Sequence, residues 1–228
     1  MPSTSPDPTW LLLQLTDSAF PVGSFAHSGG LEAAWQLGDV PSAVELSQFL
    51  RAAQLQAASL SGPIVAAIAA DPSRYTSLDR FYDATLTNHV ANRASRTQGQ
   101  SLLATAGRVF AHPGLIEQHK RLRTDALPGH LPATFGLIYG TLGVSVEHAV
   151  SCFLFLNLRS LISAAVRLGI VGPIEAQAMQ LELSADAPKW VSRTLSCKDV
   201  EAEVAQTSPM LDFYQALQDQ LYSRLFVS

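Results

Sequence analysis

Two places in this sequence set chemically capable side chains at telling distances. The first is Ala26-His-Ser-Gly-Gly30, where a serine stands between a histidine and two glycines. Small flanking residues of this kind permit the tight corner that presents a serine nucleophile in hydrolases. That chemistry also needs a base facing the hydroxyl, and His27 is adjacent to Ser28 in sequence, an awkward place for one. The preceding Pro21-Val-Gly-Ser-Phe25 is a poor core strand. The simpler reading makes Ser28 the cap of a helix, with the glycines allowing close approach. A serine hydrolase built on Ser28 is the alternative. The second place is His148 and Cys152, four apart and therefore on one face of a helix. They make an acceptable start to a zinc or nickel site. Two ligands do not complete one, the remaining histidines are scattered, and a cysteine on an apolar helix ordinarily packs. His148 and Cys152 stand as residual metal candidates, and no metal, cofactor or catalytic site is assigned. There is no Gly-x4-Gly-Lys loop, His-Glu-x-x-His or Gly-x-Gly-x-x-Gly, so no nucleotide-binding device is recognisable.

The elements that must position these residues read as helices. The chain has 228 residues, of which 47% are hydrophobic and 15% charged, enough apolar material for one large soluble core. Alanine and leucine far outnumber valine and isoleucine, which favours helix over sheet. A net charge of -4 argues against a nucleic-acid binder. Two cysteines make no disulfide framework and fit a reducing cytosol. The most membrane-like stretch, Ala149 to Val166, carries Asn157 and Arg159 near its centre and reads as the buried central helix of a soluble bundle. Residues 1–8 read as a disordered segment and 9–228 as a single all-helical domain of roughly ten helices.

The punctuation supports this. Pro21-Val-Gly23 ends a first short helix, and Ser42 with Glu45 forms a capping box. Ser61-Gly-Pro63 predicts a break or kink before Ile64 to Ala70. His119 to His130 is polar, basic and poor in apolar residues, and reads as a loop. Pro132, Pro173 and Pro209 suit the first turn of three further helices. Gly136, Gly140 and Gly143 fall at i, i+4 and i+7, predicting a side-chain-free stripe for close helix contact or for lining a passage. Leu211, Tyr214, Leu217, Leu221 and Leu225 recur at steps of three and four, so one helical face is expected there, with Asp212, Gln215, Gln218 and Asp219 mostly away from it. The apolar Leu225-Phe-Val227 predicts that this tail folds back on its own core or buries against another protein.

Five blocks, taken in order, resemble the UreF family of urease accessory proteins. They are Leu13-Gln-Leu-Thr-Asp-Ser-Ala-Phe-Pro-Val-Gly-Ser-Phe-Ala-His-Ser-Gly-Gly-Leu-Glu32, Asn92-Arg-Ala-Ser-Arg-Thr-Gln-Gly99 and Gly129-His-Leu-Pro-Ala-Thr-Phe-Gly136. Ser163-Ala-Ala-Val-Arg-Leu-Gly-Ile-Val-Gly-Pro-Ile-Glu-Ala-Gln177 follows, and then the tail from Ser208 to Ser228. Together they span nearly the whole chain; Ser24, where many relatives have glycine, is a departure. The resemblance implies an all-helical, non-enzymatic, cytoplasmic protein that forms a homodimer. It implies a scaffold or chaperone that binds a second accessory protein, UreD or UreH, and the nickel-carrying GTPase UreG, for nickel insertion into apo-urease. Nickel and GTP would be handled by that GTPase, whose activity the scaffold would modulate, with no cofactor intrinsic to this chain and no nucleic-acid or membrane partner. It also implies that the tail contacts the second accessory protein, which points to Tyr222, Arg224, Leu225 and Phe226. The motif positions His27, Ser28, Gly30, Glu32, Arg93, Gln98, Arg167 and Gln177 carry no role that the sequence defines.

Overall fold

The computed structural model describes residues 7–20 and 24–228. Among them are thirteen α-helices and no strand: α1 Pro8–Thr16, α2 Leu31–Gln36, α3 Ala43–Gln56, α4 Gly62–Ala70, α5 Tyr75–Thr85, α6 His89–Phe110 and α7 Pro113–Thr124, then α8 Leu131–Thr141, α9 Val146–Arg167, α10 Pro173–Ser184, α11 Ala187–Ser196, α12 Val200–Glu203 and α13 Pro209–Leu217. The expected disordered segment and the Pro21-Val-Gly23 break fall largely or wholly outside the described residues. Asp7 already belongs to the fold: its carboxylate accepts the N–H groups of Thr9 and Trp10 at 2.9 and 3.1 Å, with Pro8 in the first helical position.

The core is organised around α8, whose residues Pro132 to Tyr139 are all buried. An apolar helix with no polar face can satisfy itself only by being enclosed, and α4, α6 and α9 enclose it. Gly136 and Gly140 set the distance to α4. A Cβ on Gly136 would lie 2.6 Å from the Val65 carbonyl oxygen, and one on Gly140 would lie 2.6 Å from that of Ala69. The glycines therefore serve close helix contact. Gly143 departs from the expected stripe: it sits beyond the helix with φ +76° and nothing near it, as a left-handed residue closing α8.

The long apolar helix α9 is buried along Ala149, Val150, Phe153, Leu154, Leu158 and Leu161, with further small residues behind them. Arg159 reaches out of it to donate to the Thr16 carbonyl at 2.5 Å. Among the described residues two segments, Ala43–Ala70 and Val146–Arg167, are long and apolar enough to cross a membrane, and 61% and 50% of their most apolar 18-residue stretches are buried inside the protein.

Two sequence expectations are corrected. Of the break or kink expected at Ser61-Gly-Pro63, the break is not found: a π turn, Ala57–Ser61, carries α3 into α4 with Pro63 placed in the first turn beyond it. His119 to His130 is not one loop. The helix α7 runs through Thr124, capped by His112, and buries Leu115 and Leu122, seven residues apart, while its basic side chains face out.

A buried polar node fixes the start of α8. The Asp79 carboxylate accepts the N–H groups of Gly129 and His130 at 2.7 and 2.8 Å. The His130 ring lies 3.1 Å from Ser95 Oγ and 2.9 Å from Asp83 Oδ1. Burial pushes the Asp79 carboxyl up to about 6 against the pull of its two N–H donors, and lowers the His130 imidazole.

Candidate functional site: the seat of the C-terminal tail

The block Ala26 to Glu32 folds as two consecutive left-handed residues followed by a short helix. Gly29 and Gly30 have φ of +62° and +91°, which a side chain would strain. A Cβ on Gly30 would also sit 3.1 Å from Gln215 N, because α13 lies directly on this corner. Gln215 closes the contact by donating to the Gly29 carbonyl at 3.3 Å.

The segment before the corner is paired with the last residues of the tail. Val227 N–H donates to Ala26 O at 2.8 Å, and Ser28 N–H donates to Ser228 O at 2.5 Å. The Ser28 hydroxyl adds a bond to the same oxygen at 3.1 Å, and His27 Nδ1 lies 2.6 Å from Ser228 Oγ. Burial, and secondarily the charge of Arg93, lower the His27 imidazole, so it is neutral near pH 7.

The Glu32 carboxylate, 2% exposed in the first turn of α2, gathers three donors. It accepts Leu225 N–H at 2.6 Å, Phe226 N–H at 3.1 Å and the Gln218 amide at 2.7 Å. Gln218 bonds in turn to the Phe226 carbonyl at 3.2 Å. At the far side Arg167, closing α9, donates to Phe25 O at 2.5 Å. Its guanidinium lies 3.9 Å from the Phe25 ring centre and 4.2 Å from that of Phe226, a double cation–π stack. Around the rim, Gln36 donates to Ser223 O at 2.9 Å, and Asp219 joins Arg93 at 2.9 Å to Arg224 at 3.1 Å. The Arg93 hydrogen bond holds the Asp219 carboxyl below the usual range.

Six of the expected motif positions thus converge on the C-terminal stretch: His27, Ser28, Glu32 and Arg167 on its last four residues, Arg93 on Asp219 and Gly30 against Tyr214 and Gln215 of α13. Gln98 and Gln177 do not join them. Gln98 bonds to Ala94 O of its own helix at 3.3 Å, and Gln177 is exposed on α10. Sequence reasoning missed Phe25, Gln36, Gln218 and Ser228, whose partners lie up to about two hundred positions away and leave no local pattern.

The tail itself is irregular, with bends at Tyr222-Ser223 and Leu225-Phe226. The α13 helix ends at Leu217, a 3-10 turn covers Gln218–Gln220, and no helix follows. The periodicity through Leu221 and Leu225 is therefore not a helical face, and Gln218, expected outside, is wholly buried. Phe226 and Ser228 are 3% and 5% exposed, while Tyr222, Leu225 and Val227 are outward at 105%, 52% and 59%. Of the residues expected to bind a partner, Phe226 lies in this chain's own core; Tyr222, Leu225 and the half-exposed Arg224 face solvent.

This geometry removes the basis for a hydrolase at Ser28. The hydroxyl is fully buried and committed to the Ser228 oxygen, and the His27 nitrogen faces Ser228 rather than Ser28. Ser28 therefore has no base paired with its hydroxyl. Ser28 is not a helix cap either: Gly30 occupies the N-cap of α2. His148 is exposed and 3.0 Å from Ser145 Oγ, and Cys152 has its thiol raised by burial, away from the ligating thiolate. Among the described residues no third His, Cys, Asp or Glu completes a group with them.

Comparison with known proteins adds to this. A family model described as UreF matches residues 40–184. The chain is 38% identical over 230 residues to urease accessory protein F of Arabidopsis thaliana, covering 96% of this chain and 92% of the relative. It is 36% identical over 221 residues to the protein of the same name from Oryza sativa subsp. indica, covering 95% and 84%. Urease accessory protein UreF of Paenarthrobacter aurescens is 32% identical over 219 residues, covering 95% and 96%.

Proposed function

The chain belongs to the UreF family of urease accessory proteins, and from that premise we propose that it is a non-catalytic scaffold for nickel insertion into apo-urease. In this reading it bridges the nickel-carrying GTPase UreG and the accessory protein UreD or UreH, and modulates the GTPase. Nickel and GTP stay with that partner. The scaffold works as a homodimer in the cytoplasm.

The observation that carries the proposal is the seated tail. Its backbone is held by Glu32, Ser28 and Ala26, and its Phe226 by Arg167, while Tyr222 and Leu225 are left outside. An aromatic residue beside an arginine on a pre-ordered segment is the composition of an interface hot spot. Because the segment is already ordered, a partner that binds it is spared much of the ordering entropy.

The test is reconstitution. Purified apo-urease, UreG, UreD or UreH, nickel and GTP are combined with and without this chain. Urease activation is expected only with it, and the isolated chain is expected neither to bind nor to hydrolyse GTP in a calorimeter. Activation without the chain, or GTP turnover by the chain alone, would contradict the reading.

A further inference from the structure

Charge is unevenly spread along this chain. Residues 75–125, from α5 to the end of α7, hold seven of the fifteen lysines and arginines and four of the nineteen acids, so this stretch contributes +3 and the rest −7 to the net −4. Four of those arginines, all exposed, gather around the loop that joins α7 to α8. Arg80 of α5 donates to the Asp125 backbone carbonyl at 3.4 Å, and Arg121 of α7 donates to the Asp125 carboxylate at 2.9 Å. Arg123 stands two residues before Asp125. Arg96 of α6 lies beside the polar node under the loop, where its charge bears on Asp79, Asp83 and His130. One turn along α6, Gln100 ties that helix to the loop by donating to Pro128 O at 2.9 Å. The acids nearby are already engaged. Asp125 serves Arg121 and Thr124, Asp83 serves His130 and Asn92, and Asp79 serves two backbone N–H groups. Arg96 and Arg123 make no hydrogen bond or salt bridge to another described residue. Like charges gathered this way repel, so the surface gains from a partner that supplies anions.

We propose that this surface, Arg80, Arg96, Arg121 and Arg123 around the Asp125–His130 loop, docks an acidic segment of a partner protein, a run of aspartates and glutamates. The side-chain type fits. A planar guanidinium presents a fork of N–H donors that pairs with a carboxylate through two parallel hydrogen bonds, which an ammonium cannot do. The placement fits as well. The four arginines stand on the open surface of three helices, so they do not enclose a small anion but offer successive contacts to a run of carboxylates. A nucleic acid also supplies anions, but its binders carry a basic face on a basic domain, and this chain is net −4. The surface shares no residue with the tail seat.

The probe is a short fluorescein-labelled peptide of alternating aspartate and glutamate, titrated with the full-length chain and read by fluorescence anisotropy. Saturable binding at one per chain is expected, with a Kd on the order of 100 μM at about 50 mM salt, weakened about tenfold or more at about 500 mM. Arg96→Glu with Arg123→Glu, folding checked by circular dichroism, is expected to weaken it by about tenfold or more. Lys189→Glu with Lys198→Glu makes the same change in net charge on α11 and just beyond it, and should leave the Kd within about twofold. No saturable peptide binding to the folded wild type overturns the proposal. So does equal weakening by the two pairs, which would report net charge alone, and so does tighter binding of an oligothymidylate of equal charge. If the reversed pair misfolds, Arg96→Gln with Arg123→Gln decides: about threefold weakening is expected, and an unchanged Kd overturns the proposal.

Discussion

Glu32→Gln is the sharpest perturbation of the tail seat. The substitution keeps size and shape but replaces one acceptor oxygen with a donor nitrogen. Glu32 now serves three donors: Leu225 N–H on one oxygen, and Phe226 N–H and the Gln218 amide on the other. The best glutamine rotamer puts its oxygen toward the pair and its NH₂ toward Leu225, so one N–H loses its acceptor. That loss costs about 1–3 kcal/mol in a buried place, and two charge-assisted bonds become neutral ones. Against this, a neutral amide is less costly to bury than a carboxylate. The balance is about 2 kcal/mol, roughly a thirtyfold loss in the docking equilibrium. The tail is a peripheral unit that can open without unfolding α8 and α9. Hydrogen exchange at the Leu225, Phe226 and Val227 amides should therefore accelerate by about that factor, while exchange in α8 stays unchanged. Unaltered protection at Leu225 and Phe226 in a folded Glu32→Gln protein would refute the reasoning.

Other outcomes follow from the same packing. Phe226→Ala should lower stability by about 3–5 kcal/mol, seen as a lower Tm, because the ring is 3% exposed and lies on Arg167. Gly140→Ala should cost about 1–3 kcal/mol in denaturant melts, since the new Cβ would meet the Ala69 oxygen at 2.6 Å and backbone cannot move aside cheaply. Gly143→Ala, with nothing nearby, should cost only about 1 kcal/mol through its left-handed φ of +76°. Asp79 predicts a pH effect. Its folded pKa of about 6 exceeds the ordinary 3.8, so between those values the folded chain holds a proton that the unfolded chain has released. Its contribution to stability therefore falls as pH rises from about 4 to 6, by up to about 3 kcal/mol. Denaturant melts should show Asp79→Asn losing less stability than wild type across that interval; parallel curves would contradict it.

Much of the helical framework was legible because its signals are local. Ser42 and Glu45 do cap α3 as their spacing predicts, with the two side chains 2.5 Å apart. Pro173 and Pro209 each occupy the first position of a helix. The α7 helix was missed because its three turns carry only two buried leucines beside a histidine, a lysine and two arginines, a composition that reads as solvated loop. The π turn was missed because Gly62 and Pro63 are ordinarily breakers. Thr194 and Ala205, from distant elements, take up the carbonyls of Ala58 and Ser59 there. The tail failed for a related reason. Leucines at helical spacing continue to Leu225, but Glu32 and Gln218 hold the backbone out of the helix beyond Gln220, and no local window contains that pairing. The block around His27 and Ser28 was visible as a unit; that its task is to hold the tail needed coordinates.

The most direct test of the scaffold account is a double substitution that leaves the seat intact, Tyr222→Ala with Leu225→Ala. Both side chains point away from the core, so Tm should shift by little, within about 0.5 kcal/mol of wild-type stability. The measurement is the affinity of this variant for purified UreD or UreH, by calorimetry beside the wild-type chain. The account predicts a loss of at least about 2 kcal/mol, thirtyfold or more in Kd, with the melting temperature retained. An unchanged Kd in the equally stable variant would contradict it.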